Sequence, residues 1–182
     1  MVDLTEEQAV ESAVRGDNQA FSFLYERYVA RIYNYIYYRT GIPHEAEDLT
    51  ERVFMRALGR ITSYQNQGVP FSAWLYRIAH NLVANWYRDR QRRQEVSLED
   101  YNAVTPPSDH PEAHIVASQE TEGLLKIVRT LPQDRQMVVI LKFVEHMSNA
   151  EIAVIMNRSE SAIKSLYHRT LLDLRNQLEK GN

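Results

Sequence analysis

The stretch "SNAEIAVIMNRSESAIKSLYHRTLLDLR", residues 148–175, decides how the chain is read. Ser148 and Glu151 have the S-x-x-E spacing of a capping box, ahead of Ile152, Ala153 and Ile155. Asn157 and Arg158 make a short turn, and Ser159 is a good N-cap for a second helix. Two short helices with a tight turn between them are a helix-turn-helix signature. On the second helix Ile163, Leu166, Tyr167, Thr170, Leu171, Leu174 and Leu178 share one face. Ser161, Lys164, Ser165 and His168 recur at i, i+3, i+4 and i+7 on the other. A solvated helix back would mix Glu with Lys. This one holds hydroxyls and cationic groups, flanked by Arg158 and Arg169, a set that reaches phosphates and base edges. In a helix-turn-helix the N-terminal part of the second helix enters the major groove, and the polar set sits there.

The whole chain limits what this helix can belong to. Its 182 residues suffice for one domain or two small ones. There is no cysteine, which excludes disulfides, thiolate metal sites and a cysteine nucleophile. The longest apolar run, Met137 to Val144, is broken by Lys142, and the acidic start "MVDLTEEQAV" lacks a signal-peptide core. A cytoplasmic protein is expected. Net charge is −3, but its distribution is uneven. Phe71 to Arg93 sets five arginines against Asp89 alone, while Gln94 to Glu122 carries seven carboxylates and no Lys or Arg. Arg158 to Asn182 is again basic, five cations against three carboxylates.

Helical periodicity recurs along the chain and no strand pattern stands out. Thr5 and Gln8 suggest a capping box opening a helix that stops near Gly16. Asp17 can cap the next, which runs to about Thr40 on a stripe of Phe21, Leu24, Tyr25, Tyr28, Ile32 and Ile36. A third is expected from about His44 to Arg60, with Ala46, Leu49, Val53, Phe54, Ala57 and Leu58 inward. Pro70 suits the first turn of a fourth, striped by Phe71, Trp74, Leu75, Ile78, Ala79, Leu82, Val83 and Trp86. Gln94 to about His114, with Pro106, Pro107 and Pro111, reads as a flexible or extended acidic linker. Helices then succeed one another over about Ile115–Thr130, Gln133–Glu145, Ser148–Met156 and Ser159–Glu179. The expected fold is all-α: two small helical domains, residues 1–93 and 115–182, joined by linker 94–114, with the helix-turn-helix in the second.

One small helix gives modest DNA affinity, so a second contact surface or a large partner is implied. The fourth helix offers such a surface. Opposite its stripe lie Arg77, Asn81, Asn85, Arg88 and Arg92, bordered by Tyr76 and Tyr87. Aromatic rings stack on unpaired bases, guanidinium groups hold phosphates and amides read edges. The reading requires both flanks to face outward.

The segments "AEDLTERVFMRAL", "FSAWLYRIAHNLVANWYRDRQRR" and "LPQDRQMVVILKFVEHMSNAEIAVIMNRSESAIKSLYHR" occur in that order. Together they resemble the extracytoplasmic-function (ECF) sigma factors, over roughly Asp17 to Leu178. The resemblance implies a protein that binds core RNA polymerase at the largest-subunit clamp and the flap, and that recognises and opens promoter DNA. It implies polymerase contacts at Glu47, Asp48, Leu49, Glu51, Phe54, Arg56 and Ala57. It assigns the minus-ten element to Tyr64, Trp74, Tyr76, Arg77, Asn81, Asn85 and Arg88, with the loop from Ser63 to Val69 helping to capture a flipped base. It assigns the minus-thirty-five element to Arg158, Ser159, Ser161, Lys164, Ser165, His168 and Arg169. Asn85 stands where many members carry Asp, His80 where Arg is common, and Leu166 where Arg is common. The helical wheel turns Leu166 toward the core, so a packing substitution is expected there. The linker resembles the family's connector, which threads the polymerase cleft. An anti-sigma factor is an expected partner, and where that partner is membrane-bound the chain would be held at the membrane. No regulatory domain beyond the last helix is expected.

Enzyme chemistry finds little support. His44, Glu45, Glu47 and Asp48 lack the H-E-x-x-H spacing, and no Gly-rich phosphate loop or G-x-S-x-G elbow is present. No catalytic residue, metal, cofactor or small-molecule substrate is expected. Two rival readings remain: a helix-turn-helix regulator that binds duplex DNA without polymerase, and a protein-binding adaptor with a vestigial DNA face.

Overall fold

A computed structural model of the chain describes residues 4–66, 68–96 and 119–180. These form α1 (Glu6–Val14), α2 (Asn18–Thr40), α3 (Pro43–Leu58), a single 3-10 turn (Ile61–Ser63) and α4 (Phe71–Val96). After the undescribed stretch come α5 (Gln119–Thr130), α6 (Gln133–Phe143), α7 (Asn149–Met156) and α8 (Glu160–Lys180). No strand occurs among the described residues. The linker expectation for 94–114 falls mostly outside them, but its first residues are helical, because α4 continues to Val96.

Local chemistry sets the helix ends. In α1 the Gln8 N–H donates to Thr5 Oγ1 at 3.3 Å and the Thr5 N–H donates to Gln8 Oε1 at 3.1 Å. Asp17 Oδ1 accepts from the Gln19 and Ala20 N–H groups at 2.9 and 3.2 Å, which starts α2. Gly41 ends it at φ +70°, its N–H donating to the Tyr37 carbonyl at 2.8 Å. Helix α3 starts at Pro43, one residue before His44, since proline lacks the N–H that the first turn leaves unused. It closes at Leu58, two residues short of Arg60, and Leu58 lies exposed rather than inward.

The apolar stripes build the core. Phe21, Leu24, Tyr28, Ile32 and Ile36 of α2 are buried against Ala46, Leu49, Val53, Phe54 and Ala57 of α3, and α4 adds Phe71, Leu75, Ala79, Leu82 and Val83. Each fully buried Leu or Ile stabilises by about 1.5–3 kcal/mol. Tyr25 instead stays exposed, its ring edge-on to Phe54 at 4.8 Å between centroids. In the second module Val138, Ile140, Leu141, Ile152, Ile155, Ile163, Leu166 and Leu174 are buried. The core does not stop at the module boundary. Helix α2 packs on α5 and α6, and α4 packs on α7. The two helical modules are thus docked on each other.

Candidate nucleic-acid interface

The helix-turn-helix is built as its residues dictate. Ser148 and Glu151 make the reciprocal cap: the Glu151 N–H donates to Ser148 Oγ at 3.2 Å and the Ser148 N–H donates to Glu151 Oε2 at 2.6 Å. Asn157 takes the left-handed conformation, φ +54°, which asparagine tolerates better than most residues, and the turn closes with the Arg158 N–H donating to the Ala153 carbonyl at 2.9 Å. Ser159 Oγ accepts from the Ala162 N–H at 3.2 Å. Ile163, Leu166, Thr170 and Leu174 turn inward, and Arg158, Ser159, Ser161, Lys164, Ser165, His168 and Arg169 are all exposed. The helix N-terminus adds its own positive end to this flank. Ser159 is committed to capping and to Ser161, whose hydroxyl lies 3.2 Å away, and Arg158 donates to Asp134. Lys164, Ser165, His168 and Arg169 form the outward-facing centre of the surface.

Helix α4 divides differently. Arg77, Asn81 and Arg88 are exposed, and Asn85 is half-buried with its Oδ1 accepting from Arg88. Trp74 and Tyr64 are half-buried with ring centroids 5.0 Å apart, and Phe71 lies 5.4 Å from Tyr64. Tyr64 and Trp74 line a cleft of about 320 Å³ with Arg60, Ser63 and Arg77, and Val154 of α7 forms part of its wall. Tyr76 does not join them. It is fully buried, edge-on to Tyr35 at 5.2 Å, and burial, with the nearby Glu145 carboxylate, pushes its hydroxyl well above the usual tyrosine range. A tyrosine has an apolar ring and a polar tip, so position 76 at the stripe's border suited either role. Docking of the second module settles it as core, and in this arrangement Tyr76 cannot touch a base. Tyr28, Tyr33 and Tyr35 are core as well.

On α3 the candidate polymerase contacts also split. Asp48, Glu51 and Arg56 are exposed and Glu47 is half-buried, whereas Leu49, Phe54 and Ala57 are buried core that can only support them. Met55, 64% exposed and one turn beyond Glu51 and Arg52, completes the outer face. The i+4 spacing from Glu51 would have found it. Glu45 Oε2 accepts from the Trp86 indole N–H at 2.9 Å, fastening α3 to α4, and Arg90 lies over the Trp86 ring at 5.2 Å.

Three arginines occupy the seam between modules, and none was marked by the sequence. Arg31 donates through Nε and Nη2 to Glu145 Oε2 at 3.0 and 2.8 Å. Arg129 donates to the Tyr38 and Tyr37 carbonyls at 2.9 and 3.4 Å and to Glu122 Oε1 at 2.7 Å, over the Tyr37 ring. These carbonyls end α2, where a cation is favoured. Arg39 is fully buried with neutral acceptors: the Tyr35 hydroxyl at 2.9 Å, His80 Nδ1 at 3.0 Å and Gln133 Oε1 at 3.5 Å. A guanidinium only donates, so Nδ1 must accept and His80 is neutral. Burial and the Arg39 charge pull its pKa down to about 4. His80 thus belongs to the seam. A second cavity, about 610 Å³, opens between α5, α6 and α8, lined by Leu124, Val128, Val139, Phe143, Val144 and Leu174 among others, with Leu124, Phe143 and Val144 substantially exposed.

Residues 24–93, from α2 through most of α4, match Sigma-70 region 2, and residues 121–174, from α5 into α8, match Sigma-70 region 4. Over 159 residues the chain is 31% identical to the RNA polymerase sigma factor YlaC of Bacillus subtilis, covering 87% of this chain and 91% of that protein. It is 30% identical over 177 residues to the ECF RNA polymerase sigma factor SigW of the same organism, covering 93% and 94%. The chain belongs to the ECF RNA polymerase sigma factors. As such it is a DNA-binding protein of transcription initiation. It is also 40% identical over 167 residues to the ECF sigma factor BldN of Streptomyces coelicolor, which covers 92% of this chain but only 63% of that longer protein. The fold of this sigma factor is shared with CnrH, solved in complex with the cytosolic domain of CnrY, at TM-score 0.70 and 20% identity over 96% of this chain and 97% of that one. It is shared equally with the sigma factor RpoE, solved with the anti-sigma factor NepR from Bartonella quintana, at TM-score 0.70 and 22% identity over 87% and 96%. No helix among the described residues is long and apolar enough to cross a membrane.

Proposed function

We propose that this sigma factor recruits core RNA polymerase to promoters bearing minus-thirty-five and minus-ten elements, helps open the DNA and catalyses no reaction itself. The observation that carries this is the pair of polar flanks on two different modules. Helix α8 presents Lys164, Ser165, His168 and Arg169, and α4 presents Arg77, Asn81, Asn85 and Arg88, while the opposite stripe of each builds core. In this assignment α8 enters the major groove at the minus-thirty-five element. The α4 flank and the cleft of Tyr64 and Trp74 take the unstacked minus-ten strand, with the rings as stacking platforms.

Residues 1–93 then hold the minus-ten and clamp-binding functions, 94–114 the connector, and 115–182 the minus-thirty-five function. Asp48, Glu51, Met55 and Arg56 form the clamp-facing side of α3, and the apolar groove between α5, α6 and α8 takes the polymerase flap. An anti-sigma factor controls the protein, as NepR is found on RpoE, and the setting is the cytoplasm. The deciding experiment is run-off transcription from genomic fragments with purified core polymerase, with and without this chain. Promoter-specific transcripts that depend on the chain are expected. Their absence, together with tight binding of the chain alone to a duplex with paired half-sites, would establish a polymerase-independent regulator instead.

A further inference from the structure

We infer that Arg88 is a positioning residue: it fixes the Asn85 carboxamide with its amino group outward, so that α4 selects a keto base and rejects cytosine at one position of the minus-ten element. This rests on the reading of α4 as the minus-ten helix. The first observation is the pair itself. Asn85 lies one turn before Arg88 on the polar flank, and its Oδ1 accepts from Arg88 Nη2. A guanidinium only donates, so the end of the amide that faces it is the oxygen. The reverse orientation would set the Nδ2 hydrogens against other N–H groups and lose a charge-assisted bond.

The second observation is what the pair leaves over. Asn85 is half-buried and Arg88 is exposed, so the guanidinium reaches the amide from the solvent side. With Oδ1 engaged, Asn85 keeps its Nδ2 group for a ligand, and among the described residues none accepts from that nitrogen. Arg88 brings further N–H donors of its own. The outer face of the pair is therefore made of donors. Asp89 is the one carboxylate between Phe71 and Arg93; it follows Asn85 at i+4 and takes no hydrogen bond from it.

Base chemistry turns this orientation into selectivity. On its major-groove edge guanine presents two acceptors, O6 and N7, and thymine presents O4, whereas cytosine presents only the N4 amino donor. A donor face pairs with the keto bases. Against cytosine it leaves donor facing donor, with neither hydrogen bond made. An unheld asparagine is ambivalent, since it can turn over and accept from N4. Arg88 removes that choice. An aspartate at position 85 would only accept, and it would be complementary to cytosine. With Arg88 in place, asparagine and aspartate at this position therefore specify different bases.

The test uses the full-length chain with core polymerase on one promoter recovered by run-off, its minus-ten segment randomised and its transcripts counted by sequencing. One position should favour guanine or thymine over cytosine about fivefold or more, the low end of what a base contact provides. Asn85→Asp should reverse the preference at that position toward cytosine. Arg88→Met should flatten it to within about twofold, because the freed amide serves either kind of base. Arg88→Met combined with Asn85→Asp should still favour cytosine. Each preference is a ratio within one library, so a chain partly lost to misfolding still reports it. Where transcripts are too few to count, the same ratio is read from library DNA retained by the polymerase-bound chain. If Arg88→Met weakens transcription on every base alike but keeps the parent ratio, Arg88 is a phosphate contact only and the positioning role is overturned. A parent preference for cytosine overturns it, as does a preference that moves with Asp89→Ala but not with Asn85→Asp. Ratios that none of these changes moves overturn it as well, and Arg77→Ala then separates the two claims. Lowered transcription from the same promoter keeps α4 at the minus-ten element; an unchanged level removes that reading too.

Discussion

Helix α8 shows solvent its whole polar flank, whereas α4 shows only the outer part of its own. Both helices carry an apolar stripe on one side and cationic, hydrogen-bonding side chains on the other. They differ in what surrounds them. Helix α8 closes its module, and nothing described lies beyond Lys164 and His168. Helix α4 lies in the middle, with α2 and α3 on one side and α7 on another, so its border residues are absorbed into core and seam. The lesson is that an amphipathic pattern fixes which residues face inward only where a single neighbour waits on one side. Where two neighbours compete, the boundary of the stripe moves.

The sharpest way to break this comparison is to truncate one border residue and one flank residue and ask what is lost. Tyr76→Ala should destabilise the fold by about 3–5 kcal/mol, as for other large buried aromatics, read by urea unfolding. If its cost is below about 1 kcal/mol, Tyr76 is not core. By contrast, Lys164→Ala with Arg169→Ala should leave stability within about 0.5 kcal/mol. The same pair should weaken transcription from minus-thirty-five-dependent promoters roughly 10-fold or more, and flatten its salt dependence.

Gly41→Ala should have a smaller effect that spans both sides. Its φ of +70° disfavours a side chain, and a Cβ there would meet the Arg129 guanidinium at 2.9 Å. A loss of about 1–2 kcal/mol is expected, with a looser seam seen as an increased radius in small-angle scattering. The mildest effect concerns pH. His80 is held neutral with its pKa near 4 by burial and Arg39, with Arg158 also lowering it and Asp134 opposing. In the unfolded chain, away from both, the imidazole returns to its ordinary 6.5. The unfolded chain then binds the proton that the fold refuses, so stability falls as pH drops from about 6.5 toward 4. His80→Gln should reduce that dependence, measured by urea unfolding across the same pH range.

Much of this was legible in the chain. The caps at Thr5, Asp17, Ser148 and Ser159, the end of α2 near Thr40 and the inward turn of Leu166 follow from patterns only a few residues long. Local pattern carries that information. The buried state of Tyr76, Tyr35 and Arg39 was not legible, because aromatic and guanidinium groups serve equally on a surface and in a hydrogen-bonded interior. Nor was the role of Arg129, whose acceptors at Tyr37 and Tyr38 lie some ninety positions earlier. On α3 the inward turn of Leu49, Phe54 and Ala57 was readable from the stripe, whereas Leu58, expected inward, and Met55 both point out.

The two indoles of the chain occupy unlike surroundings. Trp86 is tied to Glu45 and covered by Arg90, both within its own module, whereas Trp74 lines the cleft that Val154 helps to wall. Loosening of the contact between α4 and α7 would hydrate one chromophore and spare the other. The protein therefore carries its own optical gauge, in which a red shift of Trp74 emission, read in a Trp86→Phe background, reports that loosening without any attached dye.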